Sequence, residues 1–319
     1  MNRNVSTLLK VVLGVILLGI LLKVVEFEQI WEVAVSADVS LLLVAVALLP
    51  VNVGLETAIW RSVTQQLKIE ASWNQLLDAV MAGFTLGAVT PARVGEFAGR
   101  SYLLNPDDRW KGAFALALSR QPELCVLGIA GCAGLVIFLL DQTTAPAPLW
   151  GVVGVGLIAT TFVSVVSFKP VLLKPLTLKF GKYVSFFPSS ALAADLDSVR
   201  LIEALFLSAA RYVVFSLQFY LLVRAFGIAL PPLDVSAIIA SIFLLRFIIP
   251  PVTFMDIGIR EGASIFLFGI AGASTAGAFN AAFILFAINI VLPALLGIFS
   301  ARKLVATTFS SEPSTDVVS

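Results

Sequence analysis

The sequence predicts an all-α polytopic integral membrane protein. Of its 319 residues, 59% are hydrophobic and only 13% are charged, and the mean hydropathy is +1.00. Soluble domains use roughly 45–50% apolar residues. Several windows of about 18 or more residues are nearly free of charge, which is typical of helices that span a bilayer.

The composition excludes several classes of chemistry. The chain has no histidine, so catalysis, metal binding and pH sensing by histidine are all excluded. A net charge of +1 provides no basic surface for nucleic acid. Cys125 and Cys132 lie seven residues apart in an apolar segment, where we expect them only to pack. We expect no metal ion, no cofactor and no catalytic residue.

Nine apolar segments follow one another along the chain. The first, 5–25, resembles a secretory signal, but acidic residues and not a small-residue cleavage site follow it, so we expect an uncleaved helix. A single domain over 1–300 is predicted, and the tail 301–319 has a composition typical of disorder. The other eight apolar segments are 39–60, 75–90, 111–140, 149–168, 201–226, 233–250, 259–272 and 276–299.

The distribution of Lys and Arg predicts the side of the membrane on which each connection lies, because cytoplasmic loops are rich in these residues. The intervals 26–38 and 141–149 carry acids and no Lys or Arg, and are expected outside. Both termini and an amphipathic linker over 169–200 are expected in the cytoplasm. The basic residues concentrate in 1–10, 61–68, about 100–111, 169–200 and at Arg302 and Lys303.

Two segments are predicted to enter the membrane and return to the same side. If every segment crossed, 61–74 and 141–149 would share a side, against the charge bias. A re-entrant hairpin over 75–105, turning near Pro91, removes the conflict, since its first arm would be roughly 24 Å long against a bilayer core of about 30 Å. The same reasoning predicts a second hairpin over 233–272, turning near Pro250 and Pro251. The prediction is about six spanning helices and two hairpins; the alternative is eight spanning helices.

The two halves of the chain match each other in outline. Each has a helix, a Leu-Asp lead, a broken hairpin and a long closing helix, and the pattern V-T-x3-[VI]-G occurs at 89–95 and at 252–258. Repeat one, about 39–140, and repeat two, about 201–299, would run in opposite directions through the bilayer. Inverted repeats with broken helices are typical of transporters.

Charged residues of the two hairpins predict an anion site. Arg93, Glu96 and Arg100 lie at i, i+3 and i+7, on one face of a helical return arm. Gly95 would leave the amides at the start of that helix open to a ligand, and arginine suits phosphate. The alternative is a cytoplasmic loop whose arginines contact lipid head groups. The second hairpin supplies the counterparts Gly258, Arg260 and Glu261.

Further ionisable residues inside apolar segments predict a polar cavity within the bundle. Each charge costs at least ~2.5–3.5 kcal/mol on insertion scales unless it is paired or hydrated. Any one of them could be a static salt bridge. Pro122 should kink the helix 111–140. Asn280 and Asn289 are expected to form interhelical hydrogen bonds, and the alternative for both is to line the cavity. These ionisable residues are Glu56, Arg120, Glu123, Arg211, Arg246 and Asp256.

Residues 90–104, T-P-A-R-V-G-E-F-x2-R-x-Y-L-L, resemble the P-x-R-x-G-E-x3-R signature of the lysylphosphatidylglycerol synthase transmembrane-region family, also described as flippase-like. The G-I-R-E-G at 258–262 is similar to the family's G-x-R-E-G, and the A-L-L-G at 294–297 recurs in it. At 119–123 the chain has S-R-Q-P-E where the family usually has Glu-Arg followed by Asp. The resemblance covers roughly 8–300 and implies a domain that moves lipids between leaflets, here without an aminoacyl-transferase domain.

Together these observations predict a plasma-membrane translocase for a lipid or lipid-linked glycan, and not an enzyme. Arg93, Arg100 and Arg260 would hold an anionic head group. Glu96, Glu261 and, as a further candidate, Glu123 would pair with them when the site is empty. The chain has no G-x-x-x-x-G-K-[ST] motif, so movement would be downhill or coupled to an ion gradient. The expected cargo is an anionic phospholipid or a polyprenyl or terpenoid lipid.

Two alternative functions belong to other classes. The first is a non-catalytic membrane partner or regulator of a lipid-synthesis enzyme. The second is a membrane-embedded enzyme acting on a lipid phosphate, for which Asp256 or Glu96 would be the candidate base or nucleophile. A lipid-synthesis enzyme or a second copy of the chain is a further possible partner.

Overall fold

The computed structural model describes most of the predicted bundle. All regular secondary structure among the described residues is helical, as the sequence predicts. The predicted segment 5–25, most of the linker 169–200, and Pro91, Pro250, Pro251 and Asp256 lie outside the described residues. The described residues are 19, 23, 25–90, 93–142, 145–168, 198–249 and 258–309.

The helices are labelled in chain order. The first half contains α1 (Phe27–Val35), α2 (Val39–Ala47), α3 (Leu49–Gln66), α4 (Trp73–Ala88), α5 (Gly95–Tyr102), α6 (Arg109–Asp141) and α7 (Pro148–Phe168). The second half contains α8 (Ser198–Ala225), α9 (Pro232–Ile248), α10 (Ile259–Ile270), α11 (Thr275–Phe286), a π-helical turn (Ala287–Val291), α12 (Leu292–Leu296) and α13 (Ile298–Phe309).

Five helical stretches among the described residues are long and apolar enough to cross a membrane. They coincide with the predicted spanning segments from 39–60 onward. The predicted hairpin arms α4, α5, α9 and α10 are not among them: α4 has 16 residues and α5 has 8, roughly 24 and 12 Å of helix. Re-entry of these arms stays a prediction. The five stretches are Val39–Gln66, Pro106–Asp141, Pro148–Val165, Arg200–Ala225 and Thr275–Lys303.

Glycines bring the two arms of the first hairpin into direct contact. A Cβ on Gly99 would lie 2.6 Å from the backbone of Gly83, and a Cβ on Gly95 would lie 2.2 Å from the carbonyl oxygen of Leu86. The Thr90 hydroxyl accepts the Gly95 N–H at 2.7 Å and donates to the Leu86 carbonyl at 2.8 Å. The side chains of α5 are therefore held in a fixed position relative to α4.

Each closing helix packs against the entry arm of the other hairpin. On α6, a Cβ on Gly134 would lie 2.5 Å from the Cβ of Ala240 in α9. Between α12 and α13, a Cβ on Gly297 would lie 2.1 Å from the carbonyl oxygen of Met81 in α4. Two repeats would produce such reciprocal contacts, although the inverted relation between them stays a prediction.

The centre of the bundle is formed where α8 packs against α2 and α3. The largest apolar cluster extends from α8 through α6 and α9 to α11, and includes Leu135, Phe219, Ile238 and Leu285. The first helices of the two predicted repeats, α3 and α8, therefore lie side by side. Any polar residue on their shared face is buried inside the bundle.

One helix was not predicted. The interval 26–38 was interpreted only as an acidic external connection, but it contains α1, which packs on α11 through Ile30. The Asn280 side chain donates to the Ile30 carbonyl at 2.9 Å, which confirms the interhelical hydrogen bond expected of Asn280. Asp38 caps α2, and hydrogen bonding by Ser40 and by the Leu41 N–H lowers the pKa of Asp38 below its ordinary value.

Two predictions about helix continuity have different outcomes. The tail was predicted to be disordered from residue 301. Helix α13 continues to Phe309, so residues 301–309 are helical. Helix α6 runs through Pro122 without interruption. Proline has no N–H, so the Leu118 carbonyl has no helical donor there, and the predicted kink stays a prediction.

Candidate functional site

A cluster of arginines and glutamates lies where α3, the first hairpin, α6 and α8 meet. We call it the charge cluster. Its members come from four separate parts of the chain, so only the tertiary fold brings them together. They are Glu56, Arg93, Glu96, Arg100, Arg120, Glu123 and Arg211.

The innermost pair of the charge cluster joins Arg100 to Glu56. The Arg100 side chain is fully buried and that of Glu56 is 3% exposed, and the two are directly hydrogen-bonded. Arg100 Nη2 also donates to Glu96 Oε1 at 2.6 Å, and its guanidinium lies 5.5 Å from the centre of the Trp60 ring. A buried charge needs such partners, because removing one leaves the other uncompensated.

Glu56 connects the first hairpin to the two long helices. Arg211 Nη1, from α8, lies 2.7 Å from Glu56 Oε2, and Arg120 Nη2, from α6, lies 3.1 Å from Glu56 Oε1. Together with Arg100, these contacts surround one carboxylate with three guanidinium groups. Glu56 is therefore the electrostatic centre of the charge cluster.

The outer carboxylates, Glu96 and Glu123, are also shared between arginines. Glu96 contacts Arg120 directly and lies 3.2 Å from Arg93 Nη2. Glu123 accepts from Arg120 Nη1 at 2.8 Å and contacts Arg211 directly. The S-R-Q-P-E stretch thus places both Arg120 and Glu123 in the charge cluster, despite its departure from the family pattern.

Two asparagines extend the charge cluster. Asn52 Nδ2 donates to Asn289 Oδ1 at 2.5 Å, and Asn52 Oδ1 accepts from Arg211 Nε at 2.9 Å. Asn289 lies in the π-helical turn, a feature that is frequent at functional sites. The interhelical hydrogen bond expected of Asn289 is confirmed, while Asn52 was missed.

A cavity of about 470 Å³ opens beside the charge cluster. Residues of both predicted hairpins border it, so the two hairpins meet at one cavity. Its polar wall consists of Asn52, Arg93, Glu96, Arg120, Glu123, Ser208, Arg211, Arg246, Arg260 and Asn289. Its apolar wall includes Phe84, Phe97, Leu124, Tyr212, Phe215, Phe243 and Phe247.

The first hairpin presents Arg93 to this cavity in an unusual backbone conformation. Arg93 has φ +57°, in the left-handed region that residues other than glycine seldom adopt. Its guanidinium lies 5.7 Å from the centre of the Phe84 ring and within electrostatic range of the like charges of Arg120 and Arg246. Strained backbone of this kind is found most often at functional sites.

Four residues predicted as head-group ligands lie outside the cavity wall that the described residues form. Arg100 is enclosed by the charge cluster, and the Gly95 amide donates to Thr90. Gly258 begins α10 with φ +102°, which favours glycine, and its N–H donates to Glu261 Oε2 at 2.7 Å. Gly258 and Glu261 thus shape the start of α10, and of the three ligands predicted in the second hairpin only Arg260 borders the cavity.

Sequence reasoning placed two other residues only in a supporting role. Arg120 and Arg211 have side chains that are 31% and 20% exposed, and both border the cavity. With Arg93, which is 26% exposed, they are the accessible arginines of the charge cluster. Among the described residues, no group of three or more acidic or cysteine side chains has an arrangement suited to a metal ion.

The fold and the cavity define an α-helical polytopic membrane protein with an arginine-rich cavity inside its bundle. The chain belongs to the lysylphosphatidylglycerol synthase TM region family, whose model matches residues 7–297. This confirms the resemblance based on the hairpin motifs and supports a function connected with membrane lipids. Comparison with curated proteins finds no match.

Proposed function

We propose that this protein is a translocase that moves a lipid with an anionic head group between the two leaflets, and that it is not an enzyme. The observation that carries the proposal is that both hairpins border one cavity with an arginine-rich wall and an aromatic wall. A lipid matches both walls, since its head group is anionic and its chains are apolar.

The arginine wall provides the chemistry for a phosphate head group. The guanidinium is a planar group with five donors that binds phosphate with two parallel hydrogen bonds. Arg93, Arg120 and Arg211 are the accessible members of the charge cluster and are the proposed ligands, together with Arg246 and Arg260 from the second hairpin. Arg100 is assigned to the scaffold because it is fully buried.

The carboxylates of the charge cluster provide a way to release the head group. Glu96 and Glu123 hold the accessible arginines in the empty site. A phosphate competes with these carboxylates for the same donors, so an arginine exchanges one anion for another and never lies unpaired at membrane depth. Movement is downhill or coupled to an ion gradient, and the site of action is the plasma membrane.

The alternative of an enzyme acting on a lipid phosphate is less well supported. A general base or nucleophile needs a carboxylate with access to the substrate. Glu96 and Glu123 border the cavity, but each is paired with at least two arginines. This pairing favours a binding role for the cavity over catalysis.

The experiment is leaflet exchange of labelled phosphatidylglycerol in liposomes that contain the purified protein. We expect exchange with the wild type and a loss of at least about tenfold with Arg120→Gln or Arg211→Gln. Arg200→Gln is the matched control, because Arg200 lies on α8 with Arg211 but is more exposed and outside the cavity. Exchange no faster than in empty liposomes, for this and other anionic lipids, would overturn the proposal and favour a partner or regulator of a lipid-synthesis enzyme.

A further inference from the structure

A second cavity lies between α6 and α7, away from the charge cluster. Its described lining comes from residues 128–137 of α6 and 153–165 of α7, and no described residue lines both this cavity and the one beside the charge cluster. We call it the lateral groove. Nothing in the proposed function uses it, so its ligand is a separate question.

Small residues bring α6 and α7 together at the floor of the lateral groove. A Cβ on Gly128 would collide with the Thr160 side chain, and a Cβ on Gly156 would lie 2.9 Å from Cys132 Sγ. Small residues of this kind let two helices in a membrane approach closely. Larger side chains border the groove and are exposed; they are Ile129, Ile137, Leu157 and Val165. The two helices therefore form a channel with a narrow floor and aliphatic walls.

The described lining of the lateral groove is uncharged and mostly apolar. None of these lining residues is Asp, Glu, Lys or Arg. Two of the three hydroxyls are already used within the helix pair, since Thr160 Oγ1 donates to the Gly156 carbonyl at 2.7 Å and Ser164 Oγ donates to Cys125 Sγ at 3.4 Å. An apolar ligand therefore matches this surface better than a head group does.

The position and length of the lateral groove suit the hydrocarbon layer of one leaflet. Both of its helices belong to stretches that are long and apolar enough to cross the membrane. The groove begins about one turn from the connection between α6 and α7 and extends towards the centre of the bilayer. It runs along roughly 14 Å of α6 and 18 Å of α7, and one leaflet contributes about half of the hydrocarbon core of about 30 Å.

We propose that the lateral groove is a binding site for one hydrocarbon chain of a membrane lipid, taken from the leaflet on the side of the connection between α6 and α7. Sequence reasoning predicts that this connection lies outside the cell. The chain would pack on α6, the helix that also carries Arg120 and Glu123 of the charge cluster. This inference goes beyond the proposed function and does not depend on it.

The test is photo-labelling of the purified full chain in phosphatidylcholine nanodiscs that include a phosphatidylcholine with a diazirine in one acyl chain. Peptide mass spectrometry identifies the labelled residues. The reference surface is the exposed apolar stripe of α8, which consists of Phe206, Val213 and Leu217. A bound chain should give residues 128–137 and 153–165 at least about fivefold more label than this stripe. Equal labelling of the two surfaces would overturn the inference, because ordinary contact with the bilayer would explain it.

Two variants that fill the lateral groove make the test specific. Thr161→Phe and Ala133→Phe each place a ring in it, from α7 and α6 respectively, so each should reduce the label in the groove at least about fivefold. The control is Gly154→Phe, which adds a ring at an exposed position of α7 with free space, outside the described lining, and should leave the label unchanged. Thermal unfolding identifies the variants that are folded.

The same variants separate a lipid chain from a second copy of the protein. Native mass spectrometry of the wild type gives its oligomeric state directly. A dimer that Thr161→Phe dissociates, together with an unlabelled groove, would overturn the inference and show that a helix of the second copy covers this site. Undiminished label in both folded variants that fill the groove would overturn it as well.

Discussion

Replacing Glu56 with glutamine should destabilise the protein more than any other single charge change in the bundle. The carboxylate is almost fully buried and contacts three guanidinium groups, from Arg100, Arg120 and Arg211. Glutamine keeps the size of the side chain and one acceptor oxygen but removes the negative charge. Three arginines then share Glu96 and Glu123 as their only anions among the described residues of the charge cluster.

The expected loss of stability in the Glu56→Gln variant follows from the burial of the ion pair between Glu56 and Arg100. Removing one partner of a buried ion pair costs about 3–5 kcal/mol, because the remaining charge is left uncompensated. At about 2 °C of Tm per kcal/mol for a chain of this size, the Glu56→Gln variant should lose at least about 6 °C. The assay is thermal unfolding of the purified protein in nanodiscs. Glu203→Gln is the control, because the Glu203 side chain is half exposed and its partner Arg200 lies 3.8 Å away, a surface pair worth less than about 1 kcal/mol.

A second substitution tests the reasoning behind this magnitude. The Glu56→Gln, Arg100→Gln double variant removes one negative and one positive charge and restores the balance of the charge cluster. Its loss of stability should be smaller than the sum of the two single losses by at least about 1 kcal/mol, since contacting residues are energetically coupled. Strict additivity, or a Glu56→Gln variant as stable as the control, would show that the charge cluster does not depend on this pair.

Two further substitutions test the packing around the site. Gly99→Ala places a methyl group against the backbone of Gly83, which cannot move aside. We therefore expect this variant to lose about 1–3 kcal/mol of stability in thermal unfolding. The control is Gly154→Ala, where a Cβ contacts nothing, and its Tm should change by less than about 2 °C. Asn289→Leu leaves the side-chain N–H of Asn52 without its acceptor at the edge of the cavity. The variant should therefore lose about 1 kcal/mol of stability in the same assay. An unchanged Tm would mean that water replaces this hydrogen bond in full.

The sequence predicted the helices well because their signals are local. Length and hydropathy identify a spanning helix without reference to the rest of the fold. The hairpins and their V-T-x3-[VI]-G match stay predictions, while the ionisable residues in apolar segments did indicate the polar interior. Helix α1 was missed because the four acidic residues in 26–38 obscured its apolar face, which Phe27, Ile30 and Trp31 form.

The contacts of each charged residue could not be predicted from the same signals. Helical spacing places Arg93, Glu96 and Arg100 on one face, but it does not say which helix covers that face. In the fold, α3 covers Arg100, and only Arg93 and Glu96 remain at the cavity. The sequence does contain a signal that α3 covers the charged face of the first hairpin. Asn52, Glu56 and Trp60 are spaced four residues apart on α3 and form one stripe. That stripe contacts Arg211 and Arg100.

The charge cluster separates the residues that stabilise the fold from those available to a ligand. The contacts of Arg100 with Glu56 and Glu96 join α3 to the first hairpin and are buried from the cavity. Arg120 on α6 and Arg211 on α8 contact Glu96 and Glu56, and both arginines border the cavity. If the protein moves a lipid as proposed, and α6 and α8 shift relative to the first hairpin, only the second set of contacts has to exchange partners. A head-group phosphate offers these arginines a replacement anion during that shift, so cargo binding and helix movement would be coupled through the same two side chains.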